Sequence, residues 1–258
     1  MHFVEGYCTS AGITGHINQD ALCIRCARYA GHELTMSVIC DGMGGAKEGE
    51  VASSAAVTAF YEWFEKRLPG IIEGHVAGST MGDWKRMIVR LNDALCRYGK
   101  QRNISCGTTL SSILLFDDGR YVIAHVGDSR IYELGKRARI LTEDQSLVAD
   151  EVRRGIISRS QAQVDSRRNI LLECIGISPE VNPYFVSGHL RPETAGILLC
   201  TDGFYHEITA CEMTERLGKA FETGNDIKAS LGKLITLCEE RGETDNISGI
   251  LISRKRRW

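Results

Sequence analysis

The sequence is short of proline, with 4 in 258 residues, and no low-complexity tract, internal repeat or clear linker divides it. Its length suits one large domain or two small ones. No apolar run reaches the roughly 18 residues that a membrane-spanning helix needs. The first six residues, Met1 to Gly6, have neither the basic start nor the apolar run of an export signal. A basic surplus is also missing. The 31 Lys and Arg stand against 33 Asp and Glu, for a net charge of −2, which argues against nucleic acid as a partner. What remains is ordinary for a folded chain: 43% hydrophobic, 25% charged and 7% aromatic residues. That excludes a disordered chain, which could not bury enough apolar surface to offset its ordering entropy. Two counts stand out, 27 glycines and 10 cysteines.

The cysteines are dispersed, and most lie inside apolar runs, such as Cys40 after Ser37-Val38-Ile39 and Cys200 after Ile197-Leu198-Leu199. Free cysteine packs as a small hydrophobe, and with no export signal a reduced cytoplasm is expected. Cys23 and Cys26 have metal-like spacing, but no second pair or histidine set follows to complete a zinc site. On a strand, residues three apart face opposite sides. The cysteines therefore read as structural.

Alternating apolar runs predict strands over 3–9 and 21–40, the latter turning at Tyr29-Ala30-Gly31-His32. From 46 to 68 the period becomes helical. Val51, Ala55, Ala59 and Trp63 form one row, Ala52, Ala56, Phe60 and Phe64 the next, and Pro69-Gly70 ends the helix. A second helix, about 83–100, carries Trp84, Met87, Ile88, Leu91 and Leu95 on one face. Strands follow over 106–116, 120–127 and 131–134, with a tight turn at Asp117-Asp118-Gly119. A polar helix is expected over 145–163, then strands at 183–189 and 195–201, helices at 209–222 and 225–240, and a last strand at 247–253. This order favours an α+β layered fold over alternating βαβ units.

The informative pattern is an aspartate where an apolar strand stops. It occurs at Val38-Ile39-Cys40-Asp41-Gly42, at His125-Val126-Gly127-Asp128-Ser129 and at Leu199-Cys200-Thr201-Asp202-Gly203, while Asp245 in Thr244-Asp245-Asn246 opens a strand. One Asp-Gly pair is an ordinary turn. Several carboxylates brought to one sheet edge would repel and need a cation, and oxygen-only ligands favour magnesium or manganese over zinc. In Asp41-Gly42-Met43-Gly44-Gly45 the glycines allow close backbone approach, and the Gly42 carbonyl is a candidate ligand.

These pieces, with Asn18-Gln19-Asp20, Gly107-Thr108-Thr109, Leu141-Thr142-Glu143-Asp144-Gln145-Ser146 and Asp245-Asn246, stand in the order and spacing of a known family. The chain resembles the metal-dependent serine/threonine protein phosphatases of type 2C, in their compact bacterial form, from about residue 5 to 253. The resemblance implies a four-layer α/β/β/α sandwich, an antiparallel β-sandwich flanked by helix pairs, and one domain over 1–258 with a flap at about 144–170. It implies two tightly bound Mn2+ or Mg2+ ions. Asp41 would bridge both, Asp202 and Asp245 would hold the first, and the Gly42 carbonyl the second. Asp128 matches the acid that holds a third, weaker ion, and Asp20, Gln19 and Asn246 would orient ligands and waters. Water activated by the ions would attack phosphorus directly, with no protein nucleophile, so Ser129 and the cysteines are not catalytic. Phosphorylated proteins are the implied substrates, a cognate serine/threonine kinase the implied partner, and a monomer is expected.

Two positions, Gly15 and Gln19, depart most from the family, and Gln145 departs less. Gly15 stands where a phosphate-binding arginine is usual, and only His16 beside it offers a partial replacement. Gln19 stands where glutamate is usual, and Gln145 where histidine is frequent. Met43 cannot act as the general acid that a histidine provides in some members. These departures keep a second reading open, a non-catalytic metal- or phosphoprotein-binding regulatory module of the same fold. A nucleotide phosphohydrolase would need a base-binding pocket that the sequence does not show. His125 reads as a strand residue with satisfied hydrogen bonds, and the basic tail 254–258 as a solvated terminus.

Overall fold

In a computed structural model of the chain, residues 2–15, 17–29, 31–44, 48–72, 77–223 and 227–255 are described. Two antiparallel five-stranded sheets form its centre. The first runs in the order β1 (His2–Ser10), β12 (Ile247–Lys255), β11 (Gly196–Cys200), β8 (Arg130–Leu134) and β9 (Arg139–Ile140). The second runs β10 (Tyr184–His189), β7 (Arg120–Val126), β6 (Leu110–Phe116), β3 (His32–Cys40) and β2 (Ala21–Tyr29). A two-stranded ribbon pairs β4 (Gly42–Gly44) with β5 (Cys106–Thr108). The helices are α1 (Glu48–Ile72), α2 (Ala77–Arg102), α3 (Leu147–Arg153), α4 (Arg159–Val164), α5 (Asp202–Tyr205), α6 (Ala210–Thr223) and α7 (Ile227–Glu240).

The layering follows from strands that are apolar on both faces. Along β3, Leu34, Met36, Val38 and Cys40 join the core under α1 and α2, while Ile39 points into the space between the sheets. Leu114 and Ile113 on β6 divide in the same way, as do Ala124 and Ile123 on β7. On the other sheet, Leu198 and Leu251 pack under α5 to α7, while Ile197, Leu199, Ile250 and Ile252 face inward. Period-two alternation thus builds three apolar layers between four layers of structure, the predicted α/β/β/α sandwich.

Some local expectations are revised. Pro69 does not end α1, which continues through it to Ile72. Ile71 is buried in the core below the helix, and that packing outweighs the hydrogen bond that proline removes. Of the two predicted rows on α1, the one with Ala52, Ala56, Phe60 and Phe64 is buried, whereas Val51 is exposed. The stretch 145–163 is two short helices, not one. Gly155, at φ 72°, lies just beyond α3, and Ser158 with Gln161 forms a capping box that starts α4. The strand expected over 106–116 breaks at Thr109, whose amide turns to the Asp41 carbonyl at 2.9 Å. The ten cysteines are all free, and five are buried. Cys23 is half-buried and Cys26 exposed, as opposite faces of β2 require.

Trp84 on α2 sits fully buried between Phe60 and Trp63 of α1, with ring centroids 5.1 and 5.2 Å away. Its indole N–H has no hydrogen-bond partner. Trp84→Ala should cost about 3–5 kcal/mol of stability, whereas Trp84→Phe, which also removes an unpaired buried donor, should cost clearly less. Urea unfolding of the three proteins checks the order; equal losses for both variants would contradict it.

Candidate metal centre

Five separate chain segments deliver carboxyl groups to one end of the sandwich. Asp41 follows the last residue of β3, Asp128 lies in the turn from β7 to β8, and Asp202 is the first residue of α5, just after β11. Asp245 precedes β12 and Asp20 precedes β2. Antiparallel pairing brings these ends together: Cys40 faces Ala21, Cys200 faces both Arg130 and Gly249, and Ile247 faces Ser10.

Main-chain anchors hold each carboxylate in place. The Asp41 amide donates to Thr109 Oγ1 at 2.9 Å, and its carbonyl accepts from the Thr109 amide and from Thr108 Oγ1 at 2.9 and 3.0 Å. Thr109 Oγ1 lies 2.8 Å from Ser129 Oγ. Ser111 Oγ donates to the Ser129 carbonyl at 2.9 Å and lies 2.8 Å from His125 Nδ1, while His125 Nε2 lies 2.9 Å from the Gly127 carbonyl. This buried chain of hydroxyls and imidazole ties the Asp41 loop to the Asp128 turn. Gly127 is required there. Its φ is 102°, and a Cβ would stand 2.7 Å from Thr109 Cγ2. A Cβ on Gly42 would meet the Gly49 and Gln19 carbonyl oxygens at 2.3 and 2.5 Å, so only glycine lets α1 cross so closely. His125 is the satisfied strand residue expected, and burial pushes its imidazole down to about 4.

The electrostatics record the crowding. Burial raises Asp41 well above the usual carboxylate range, and Asp20, Asp202, Asp245 and Asp128 all push it further. Asp20 and Asp202 are each raised to about 7, by burial first and neighbouring aspartates second. Asp128 is raised well above its ordinary value by burial, Asp202 and Asp144. Asp245, exposed at the rim, is also raised, by burial of its carboxyl and by Glu243. The Asp20 Oδ1 and Glu243 Oε2 atoms are buried without a hydrogen-bond partner.

Orphaned carboxylate oxygens amid mutually repelling acids fit a hard divalent cation. Among the described residues, no group of three or more His, Cys, Asp or Glu side chains closes round a single point. The side chains gathered here are all oxygen donors, which suits magnesium or manganese better than zinc. Asn246 Oδ1 accepts from the Gln19 amide at 2.8 Å and its Nδ2 donates to the Ala11 carbonyl at 3.3 Å. It straps the 11–19 segment to the Asp245 turn. His16 lies outside the described residues.

Glu243, His206 and Tyr205 carry no sequence signature, while Arg130, beside the Asp128 motif, and Gln145 complete the surroundings. Glu243 Oε1 accepts from the Thr244 and Asp245 amides at 2.7 and 2.9 Å and shapes the turn that presents Asp245. His206, one turn after Asp202, places Nδ1 3.9 Å from Asp202 and 4.0 Å from Glu243. Burial lowers it to about 4, helped by Arg168 and Arg130. Arg130 forks Asp144, with Nη2 2.6 Å from Oδ2, and stacks on the Tyr205 ring at 3.7 Å. Tyr205 in turn donates its hydroxyl to the Asp128 carbonyl at 3.1 Å. The side chain of Gln145 accepts from the Gly127 amide at 2.8 Å and donates to the Asn182 carbonyl at 3.0 Å, and so fastens the foot of the 144–170 segment to the Asp128 turn. The Glu243 turn and the His206–Asp202 pair are local, whereas the His206–Glu243, Arg130–Asp144, Tyr205–Asp128 and Gln145–Gly127 contacts join distant positions that short-range patterns do not show.

A family model described as protein phosphatase 2C matches residues 9–251. The chain is 31% identical over 222 residues to the serine/threonine phosphatase stp of Listeria monocytogenes, covering 84% of this chain and 83% of that one. It is 28% identical over 224 residues to the protein phosphatase PhpP of Streptococcus pneumoniae, covering 85% of each. The crystal structure of the serine/threonine phosphatase Stp1 from Staphylococcus aureus superimposes with a TM-score of 0.84 at 27% identity, over 99% of this chain and 96% of that one.

The crowded carboxyls make stability depend on pH in a defined sense. Asp20 and Asp202 at about 7 hold protons in the folded chain that the unfolded chain releases near its ordinary carboxylate pKa of about 4. Stability of the cation-free protein therefore falls as pH rises from about 4 to about 7. Thermal unfolding in chelator should show Tm dropping by several degrees between about pH 5 and pH 8, with a smaller drop when Mn2+ is present. A Tm that rises over that range in chelator would refute the reading.

Proposed function

The chain belongs to the protein phosphatase 2C family, and we propose that it removes phosphate from serine and threonine residues of proteins with divalent ions held at its carboxylate edge. The observation that carries this is the convergence of Asp41, Asp128, Asp202 and Asp245, in which Asp128, Asp202 and Asp245 all raise the proton affinity of Asp41, in a chain matched to the family almost end to end. In this reading 1–258 is one catalytic unit with 144–170 as its flap. Asp41 would serve two Mn2+ or Mg2+ ions, Asp202 and Asp245 would hold the first, the Gly42 carbonyl the second, and Asp128 a third, weaker one. Asp20, Gln19 and Asn246 orient what surrounds them. Ions bound there would lower the pKa of water and offset charge on the phosphoryl oxygens.

The protein's own groups set the rest. Ser129 is buried with its hydroxyl engaged by Thr109, so it is no nucleophile. Burial pushes the Cys174 thiol, beside Met43, up to about 12, and it stays protonated. No covalent phosphoenzyme is therefore expected. Met43 has no proton to give, and His206 at about 4 is neutral near pH 7, so the leaving oxygen takes its proton from solvent. Asp245 keeps its position through Glu243, and Asp128 through Tyr205 and Gly127.

Gly15 favours the second reading, a binding module without turnover, because it brings no guanidinium to the phosphate. Its surroundings leave room for one: nothing lies within 4 Å of a Cβ built there, although its φ of 65° makes any side chain strained.

Hydrolysis of a phosphothreonine peptide should require Mn2+ or Mg2+, stop in chelator, and fall at least about a thousandfold in Asp202→Ala, the loss expected when a central electrostatic group is removed. Turnover in wild type no greater than in that variant, with phosphopeptide still bound, would establish the binding module instead. Gly15→Arg should lower KM severalfold at nearly constant kcat, at a stability cost of about 1–2 kcal/mol for a left-handed side-chain residue. An unchanged KM would show that another group already grips the phosphate.

A further inference from the structure

Large aliphatic side chains are exposed on both borders of the carboxylate edge. Ile170, Leu172 and Ile177 are 48%, 50% and 49% exposed, and Ile13 and Ile17 are exposed on the opposite border. Neither border is a loose loop. The 170–177 segment is pinned by the Leu147 amide to the Ile170 carbonyl, by the Leu172 amide to the Gln145 carbonyl, and by reciprocal bonds between Ile175 and Thr108. Cys174 Sγ lies 3.3 Å from Met43 Sδ, in the loop after Asp41. On the other side, Thr14 Oγ1 donates to the Thr244 carbonyl at 3.1 Å and Ala11 is held by Asn246. Apolar surface concentrated beside a reacting edge marks a place where another molecule sits.

Beside Leu172 opens a groove of about 300 Å³ lined by Glu143, Gln145, Arg153, Leu172, Glu173 and Tyr184. Its charges are spent internally. Glu143 pairs with Arg153 at 3.0 Å, and Glu173 accepts from the Asn182 amide and side chain at 3.0 and 2.9 Å. The apolar part of its lining is Leu172 and the Tyr184 ring. Gln145 joins this groove directly to the Asp128 turn, so a chain whose phosphate lies at the edge passes over it.

We propose that the Leu172–Ile177 border and the Leu172–Tyr184 groove seat aliphatic residues flanking the phosphorylated serine or threonine of a protein substrate. The proposal rests on the phosphatase reading above and deepens it. It also answers the deficit at Gly15. Burying one aliphatic side chain is worth about tenfold to a hundredfold in affinity, comparable with the charge-assisted bonds that an arginine would have given the phosphate. Selectivity then comes from the residues beside the phosphate, not from a stronger hold on the phosphate itself.

The test uses three phosphothreonine peptides with aliphatic, Ser/Gly or Lys/Arg flanks, assayed with Mn2+ on wild type and on the Leu172→Ser/Ile177→Ser double variant. Wild type should favour the aliphatic peptide over the Ser/Gly peptide by about tenfold or more in kcat/KM, chiefly through KM, and the variant should bring that ratio close to one. The ratio is internal to each protein, so a general loss of folded enzyme cancels. A wild-type ratio near one, a preference for the basic peptide, or a ratio unchanged in the variant would overturn the proposal. Fluorescence anisotropy of the same peptides in chelator gives the preference without turnover. A preference kept there in a wild type that hydrolyses neither peptide nor p-nitrophenyl phosphate supports the docking surface and overturns the phosphatase reading alone, while equal affinities overturn the docking surface.

Discussion

Like charges gathered in a buried place are the constraint around which this molecule is arranged. Asp20, Asp41, Asp128 and Asp202 are crowded enough that each resists ionisation, and nothing in their mutual interaction would hold them together. The holding is done through the backbone. Thr108 and Thr109 grip the peptide groups of Asp41, Tyr205 the carbonyl of Asp128, and Glu243 the amide of Asp245. Anchoring through the main chain leaves the Asp20 Oδ1 atom buried without any partner. A site built this way is held in position before a cation arrives.

The sandwich supplies the stability that such a site consumes. Three apolar layers, each fed by alternate residues of the same strands, make the strand ends rigid, and rigid ends can carry strained turns such as that at Gly127. The division of labour is spatial. Strand middles are almost wholly apolar, and the chemistry sits where the strands stop. Even the polar residues in the interior serve the edge, since Ser111 and His125 lie on β6 and β7 yet spend their hydrogen bonds on Ser129 and Gly127.

Much of this was legible in the sequence because it is local. Apolar runs that end in Asp-Gly or Asp-Ser announce both the strand and the acid at its end, and their order along the chain led to the four-layer architecture. What stayed hidden depends on contacts between distant positions. Nothing around His206 or Glu243 in sequence says that they face each other across Asp202, and Tyr205 gains its role only because β7 ends beside α5. Pro69 shows the opposite failure. Its local signal was clear, and burial of Ile71 overrode it. The polar stretch after Gln145 carried helix propensity throughout, yet Gly155 and the Ser158 cap were the stronger instructions.

The amide of Gln145 has a consequence for how the 144–170 segment is attached. It holds the Gly127 amide with its oxygen and the Asn182 carbonyl with its nitrogen, a donor and an acceptor fixed in one group. An imidazole in that place could accept from Gly127 only on a bare ring nitrogen, and protonation would turn that acceptor into a second donor. An amide does not ionise, so this clasp is the same in mild acid as in mild base. The joint between this segment and the edge is thus insulated from proton concentration, whereas the buried aspartates and His206 remain sensitive to it.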